Sequence, residues 1–152
     1  MRGFRLSRKK YARKLDGQDA ARSNNRWNSK GTAVVYTAES RALAMAEVLF
    51  HLSLNHLSST FQMVEIEIPD SVSVREISLK DPGRDWSENP PMPSSQKIGD
   101  DFIQCGDTCV LRVPSAVVPG DFNLLINPNH PEMKKIKVVE ISDSPFDSRL
   151  LG

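Results

Sequence analysis

Glu47 asks most plainly for a chemical explanation. It stands in an apolar run over 42–54 that only Glu47 and His51 interrupt with ionisable groups. Ser40, Ala44, Glu47, His51 and Asn55 recur three or four residues apart, so a helix would put them on one face. A carboxylate inside an apolar coat is costly unless it is paired or faces a wet cavity. Glu47 therefore pairs with a buried base such as Arg26, meets His51 one turn on, or lines a cleft. The first and last are compatible if Arg26 shares the cleft. Arg26-Trp27-Asn28 lies in a Ser/Asn/Gly-rich stretch over 17–31 that reads as a loop, where binding residues concentrate on a rigid scaffold. A guanidinium is a planar fork of donors suited to phosphate oxygens, with Trp27 placed to pack beneath it; the plain alternative is packed surface.

The other candidates are weaker singly. Tyr36 follows two valines at a strand end, where it stacks a ligand ring or closes the edge of the core. Ser115 lies between Pro114 and Pro119 without the G-x-S-x-G elbow of a hydrolase nucleophile, so it is read as a hydroxyl donor to a ligand or a neighbouring carboxylate. His130 sits between prolines in a turn and is read as turn chemistry. His51, His56 and His130 have no metal-ligand spacing with Cys105 and Cys109, so no metal is expected. The two cysteines lack redox spacing and are read as reduced, near-core residues.

The elements that must position these groups follow from local pattern. Strands are predicted over 4–6, 33–37, 61–68, 72–77, 110–113, 122–127 and 136–141, and a helix over 40–55 with Ser40 as its N-cap. That helix is apolar nearly all round, as a buried helix reads. The basic stretch up to residue 15 is predicted helical, 98–105 a short helix, and 80–96, with four prolines, a long surface loop. The mixed order, with more strand than helix, gives an α+β fold, and no repeat or second domain interrupts it over residues 1–152.

Composition narrows the class. The chain has 152 residues, with 39% hydrophobic and 26% charged side chains, ordinary for a soluble globular domain. No apolar run reaches membrane-spanning length and the N-terminus has no secretory signal, so a cytoplasmic protein is expected. Residues 1–31 carry ten Lys and Arg against Asp16 and Asp19, a net of +8, while the whole chain is at +1, leaving the rest at −7. So basic an end is a solvated face or a draw for an anionic partner. A nucleic-acid role is disfavoured, because only Phe4, Tyr11 and Trp27 interleave with these cations.

Several stretches in order closely resemble the RES family: Phe4-Arg5-Leu6, Arg26-Trp27-Asn28-Ser29-x-Gly31, Val34-Val35-Tyr36-Thr37-Ala38 and Ala42-Leu43-Ala44-x-x-Glu47-Val48-Leu49-x-His51. Val113-Pro114-Ser115-Ala116-Val117-Val118-Pro119 and Asn123-Leu124-Leu125-Ile126-Asn127-Pro128-x-His130-Pro131 continue it to about residue 140. The family's arginine, glutamate and serine look like Arg26, Glu47 and Ser115. Asn24-Asn25 departs from a lead that is commonly glycine-rich. The resemblance implies the toxin of a toxin–antitoxin pair with a mainly antiparallel split sheet resembling the ADP-ribosyltransferase core. It implies NAD⁺ as substrate, cleaved at the nicotinamide–ribose bond by water or phosphate, or used to ADP-ribosylate a protein. It also implies an Xre-like helix-turn-helix antitoxin that blocks the active site, and a homodimer within a larger complex. On that footing Glu47 stabilises the developing ribosyl cation, Arg26 with Arg5 binds the pyrophosphate, Tyr36 stacks on nicotinamide, Trp27 packs beneath Arg26 as part of the NAD⁺-binding set, and Ser115 orients Glu47 or the ribose. The rivals are an RNA-directed toxin, drawn from the basic end, and a non-catalytic binding module in which Glu47 is purely structural.

Overall fold

A computed structural model of the chain describes residues 1–51, 61–78, 83, 86–88 and 90–143. Seven strands, β1 (Arg2–Arg8), β2 (Val35–Ala38), β3 (Phe61–Glu67), β4 (Val74–Glu76), β5 (Val110–Pro114), β6 (Phe122–Ile126) and β7 (Lys137–Asp143), form one sheet in the order β4-β5-β6-β2-β1-β3-β7. Every pairing is antiparallel except β4 with β5. Among the described residues three α-helices accompany them: α1 (Gln18–Ala21), α2 (Arg41–His51) and α3 (Pro93–Cys105). The fold is α+β, as the pattern of elements predicted.

The sheet is nearly divided in two. β1 and β3 run together over seven register pairs, and β2 and β6 over four, but β1 meets β2 only at Phe4 and Ala38. Side chains alternate across a strand, and three apolar clusters follow. One face buries Val35, Val64, Ile66, Leu124 and Ile126. On the other, α3 covers Leu111, Val113 and Leu125 through Phe102, while α2 covers Phe4, Ala38 and Met63 through Leu43 and Ala44. Met63, on the same face of β3 as Glu65, is buried because α2 lies over it.

Helix α2 starts where its cap predicts: the Ser40 Oγ accepts a hydrogen bond from the Leu43 N–H at 3.0 Å. Arg41 anchors the same end, bonding Glu65 and lying 4.6 Å over the Phe4 ring. Ser40→Ala is expected to cost about 1 kcal/mol and to lower Tm by roughly 2–4 °C in a thermal melt. The helix is not buried all round, however. Leu43 and Ala44 face the core, while Ala42 is exposed and Phe50 is 52% exposed. Only one flank lies on the sheet, and its apolar composition exceeds what that flank needs. The predicted continuation over 52–55 falls outside the described residues.

Other boundaries also moved. The predicted N-terminal helix is a single 3₁₀ turn, Lys9–Tyr11. Arg5 draws the Tyr11 and Lys14 carbonyls inward at 3.5 and 3.3 Å, which competes with helical pairing there. The 17–31 loop contains α1, entered through Gly17 at φ +69°, where a Cβ would lie 2.6 Å from the Val34 backbone nitrogen. The predicted loop over 80–96 ends early, since α3 begins at Pro93, a residue preset for the first helical turn. Its polar first turn has no apolar periodicity to betray it. Cys109 is buried, but Cys105 is exposed at the end of α3, contrary to the near-core reading. His130 is a turn residue, its Nδ1 accepting the Glu132 N–H that starts a 3₁₀ turn.

Candidate functional site

Where β1 and β2 part, a cavity of about 540 Å³ opens between α2 and the 19–27 segment. Small-molecule sites commonly span roughly 300–1,000 Å³. Arg5, Arg26, Trp27, Tyr36 and Glu47 all line it. Ser115 joins them through Glu47.

Glu47 projects from α2 and is half-buried. The Ser115 Oγ donates to its Oε1 at 2.9 Å. Ser115 is fully committed, because that oxygen also accepts the Val117 and Val118 N–H groups at 3.1 and 3.0 Å. The Pro114–Pro119 segment thus folds over the serine and aims its single proton at the carboxylate. Burial lowers the Arg26 pKa, and Glu47 followed by Tyr36 opposes that shift.

The Arg26 guanidinium donates through Nη1 to the carbonyl of Trp86 at 2.8 Å and of Glu88 at 2.5 Å. Trp27 turns inward and is only 2% exposed, packed with its ring centroid 5.6 Å from that of Trp86 and against Phe102. It is a core anchor for the loop. Asn28, wholly buried, donates to the carbonyls of Ala20, Ser23, Ser29 and Thr32. The two asparagines before Arg26 also tie the loop: Asn25 Nδ2 donates to the Ala20 carbonyl and Asn24 Oδ1 accepts the Lys30 N–H.

Tyr36 completes this knot. Its hydroxyl donates to Asn28 Oδ1 at 2.6 Å and accepts the Trp27 N–H at 3.1 Å. Burial pushes its pKa well above the ordinary tyrosine value, which favours the neutral phenol. What it can offer a ligand is its ring. Arg5 is buried on the face of β1 opposite Phe4 and Leu6, and its donors go to Ser7 Oγ, Lys14 O and Tyr11 O. Among the described residues no carboxylate lies within ion-pair distance of it. Burial lowers its pKa, opposed by Asp19 and Asp16.

Sequence reasoning missed Asn28 as the buried centre of the loop, and Asn123, which lines the cavity with its Nδ2 on the Thr37 carbonyl. An asparagine next to Trp27 in a stretch read as solvated loop gave little warning. Among the described residues no group of three or more His, Cys, Asp or Glu is placed to hold a metal, and no helix is long and apolar enough to cross a membrane. The arrangement offers one carboxylate fixed by a hydroxyl, opposite buried positive charge, around an aromatic ring. Such a set can hold an anionic ligand and stabilise a cation that develops beside the acid.

Comparison with known proteins gives a consistent picture. The RES domain profile matches residues 2–148. A Prs ADP-ribosylating toxin of Sphingobium sp. (strain YBL2) is 39% identical over 140 residues, covering 90% of this chain and 86% of its own length. A Toxin Res of Pseudomonas putida is 36% identical over 138 residues, at 90% and 92% coverage, and one of Yersinia enterocolitica is 33% identical over 149 residues, at 97% of each chain. The fold is similar to that in the crystal structure of the M. tuberculosis MbcT-MbcA toxin–antitoxin complex, with a TM-score of 0.73 at 18% identity, covering 93% of this chain and 82% of that one.

Proposed function

The chain belongs to the RES family of toxins, and on that premise we propose that it cleaves the nicotinamide–ribose bond of NAD⁺ as the toxin of a toxin–antitoxin pair. The observation that carries this reading is the shared cavity: Glu47, held by Ser115, faces the same 540 Å³ space as Arg26 and Arg5. The two guanidiniums supply positive charge for the pyrophosphate. The Tyr36 ring, its hydroxyl tied back to the loop, stacks on nicotinamide.

As the bond from ribose C1 to the pyridinium nitrogen lengthens, its electron pair leaves with nicotinamide and positive charge grows on the ribose. Glycosyl transfers commonly pass through such oxocarbenium-like states, which carboxylates stabilise. Glu47 supplies that charge, and Ser115 keeps one of its oxygens pointed. Water or phosphate then captures the ribosyl cation; water loses a proton to leave ADP-ribose. Ser115→Ala leaves Oε1 of Glu47 without this donor and is expected to lower turnover about tenfold, the scale of one hydrogen bond to a charged group. Steady-state rates on purified protein check this.

A second reading, transfer of ADP-ribose to a protein, is favoured by the name of the Sphingobium relative. It shares the bond-breaking step and differs only in the acceptor. The test is chromatography of NAD⁺ incubated with purified protein, with and without phosphate, beside adenine-labelled NAD⁺ incubated with lysate. Released nicotinamide with free ADP-ribose or its phosphate supports cleavage, and labelled protein supports transfer. NAD⁺ left intact in both arms would sink the proposal. A cognate antitoxin, Xre-like by the family resemblance, completes the reading, and its co-expression should restore growth.

A further inference from the structure

We propose that Asp100 and Ser95 of α3 are positioning residues that set the place of Arg26 in the cavity by fixing the backbone of its loop. The inference deepens the proposed function and rests on it, since Arg26 matters here as the group that holds the dinucleotide.

Helix α3 touches the loop at four neighbouring residues. The Ser95 Oγ donates to the Arg26 carbonyl at 2.6 Å, and the Gln96 Nε2 to the Asn25 carbonyl at 3.1 Å. The Asp100 carboxylate takes the Ser29 N–H on Oδ1 at 3.0 Å and the Ser29 hydroxyl on Oδ2 at 2.5 Å. Between these polar contacts, Gly99 admits the Trp27 carbonyl to within the space a Cβ would fill. Residues 95, 96, 99 and 100 recur at one helical turn, so a single face of α3 reads the loop backbone from Asn25 to Ser29.

These contacts are not what docks the helix. Phe102 is buried in the core, with Ile98 and Ile103 packed against the same cluster. Asp100 and Ser29 are both half-buried, so water can replace either partner. The polar face of α3 is thus separable from its apolar face, and its effect is on where the Arg26 side chain starts. The far end of that side chain is met by the Trp86 and Glu88 carbonyls. An arginine held at both ends meets a phosphate with little reorganisation, and small displacements in such sites are expensive in rate.

The test is a double-mutant cycle on purified protein with NAD⁺ as substrate. Asp100→Ala is expected to stay folded and to raise KM about tenfold with kcat within about threefold of wild type, since it misplaces a binding group rather than Glu47. Asp100→Asn keeps an acceptor for the Ser29 N–H and should restore most of the loss. In an Arg26→Lys background, Asp100→Ala should add less than about twofold, because coupled residues are not additive. A merely structural role would give the same factor in both backgrounds, and that result overturns the inference, as does wild-type KM in a folded Asp100→Ala protein. Should that variant fail to fold, Ser95→Ala, which removes the donor to the Arg26 carbonyl, carries the same expectation in the same cycle. Wild-type protein that left NAD⁺ intact would remove the proposed function and this inference with it, a result distinct from wild-type kinetics in the variants.

Discussion

Glu47→Gln is expected to lower NAD⁺ cleavage by about 10²–10³ while leaving the fold intact, the usual cost of deleting one preorganised electrostatic group. The substitution is nearly isosteric. Ser115 can still donate to the amide oxygen, as it does to Oε1 in the native chain. α2 keeps its packing through Leu43 and Ala44, so Tm should move little. What disappears is the negative charge that the proposed mechanism sets against the developing ribosyl cation, and that opposes the effect of burial on Arg26. The measurement is initial rate at saturating NAD⁺ alongside a thermal melt. Comparable loss of stability and of rate would show that Glu47 is structural, the reading in which this chain is a binding module.

Gly99→Ala is expected to destabilise the fold strongly, because no space is left for its methyl group. Its Cβ would stand 1.5 Å from the Trp27 carbonyl oxygen, which is backbone and cannot swing aside. Alanine gains about 1 kcal/mol of helix propensity over glycine. The clash forces either α3 or the 25–29 loop to move, and overpacking of this kind costs roughly 1–3 kcal/mol or more. At the upper end of that cost the net loss is about 2 kcal/mol, which corresponds to roughly 4–8 °C in Tm at this chain length. Because Trp27 follows Arg26, the displaced loop should also raise KM. A variant with unchanged melting temperature would mean that α3 and the loop are less closely apposed than described.

These two sites differ in how far the sequence announces them. Glu47 stood out by itself: a charged residue in an apolar run at helical spacing is conspicuous, and the Ser40 cap marks where its helix begins. Strand β3 was equally plain, since Val64 and Ile66 alternate with polar residues within one short segment. Such features are local, encoded in the periods of 3.6 and 2 that a helix and a strand impose on any chain. The order of the motifs also carried the family, because it compares residue types along the chain and needs no coordinates.

The partners of those residues were another matter. The family resemblance set Ser115 against Glu47 or the ribose, and the contact with Glu47 is there, but the residues around either one, 68 positions apart, do not state by themselves that the two meet. Their contact depends on β6 pairing with β2 and β5, which brings the Pro114–Pro119 turn to the end of the sheet beneath α2. Likewise Asp100 finds Ser29 across 71 residues. Which flank of α2 is buried, why Trp27 turns inward, and why Arg5 spends its donors on backbone carbonyls were all decided by packing. Propensity and periodicity determine which segments form. Register and burial determine which side chains share a space, because those are properties of pairs of segments that the chain keeps far apart.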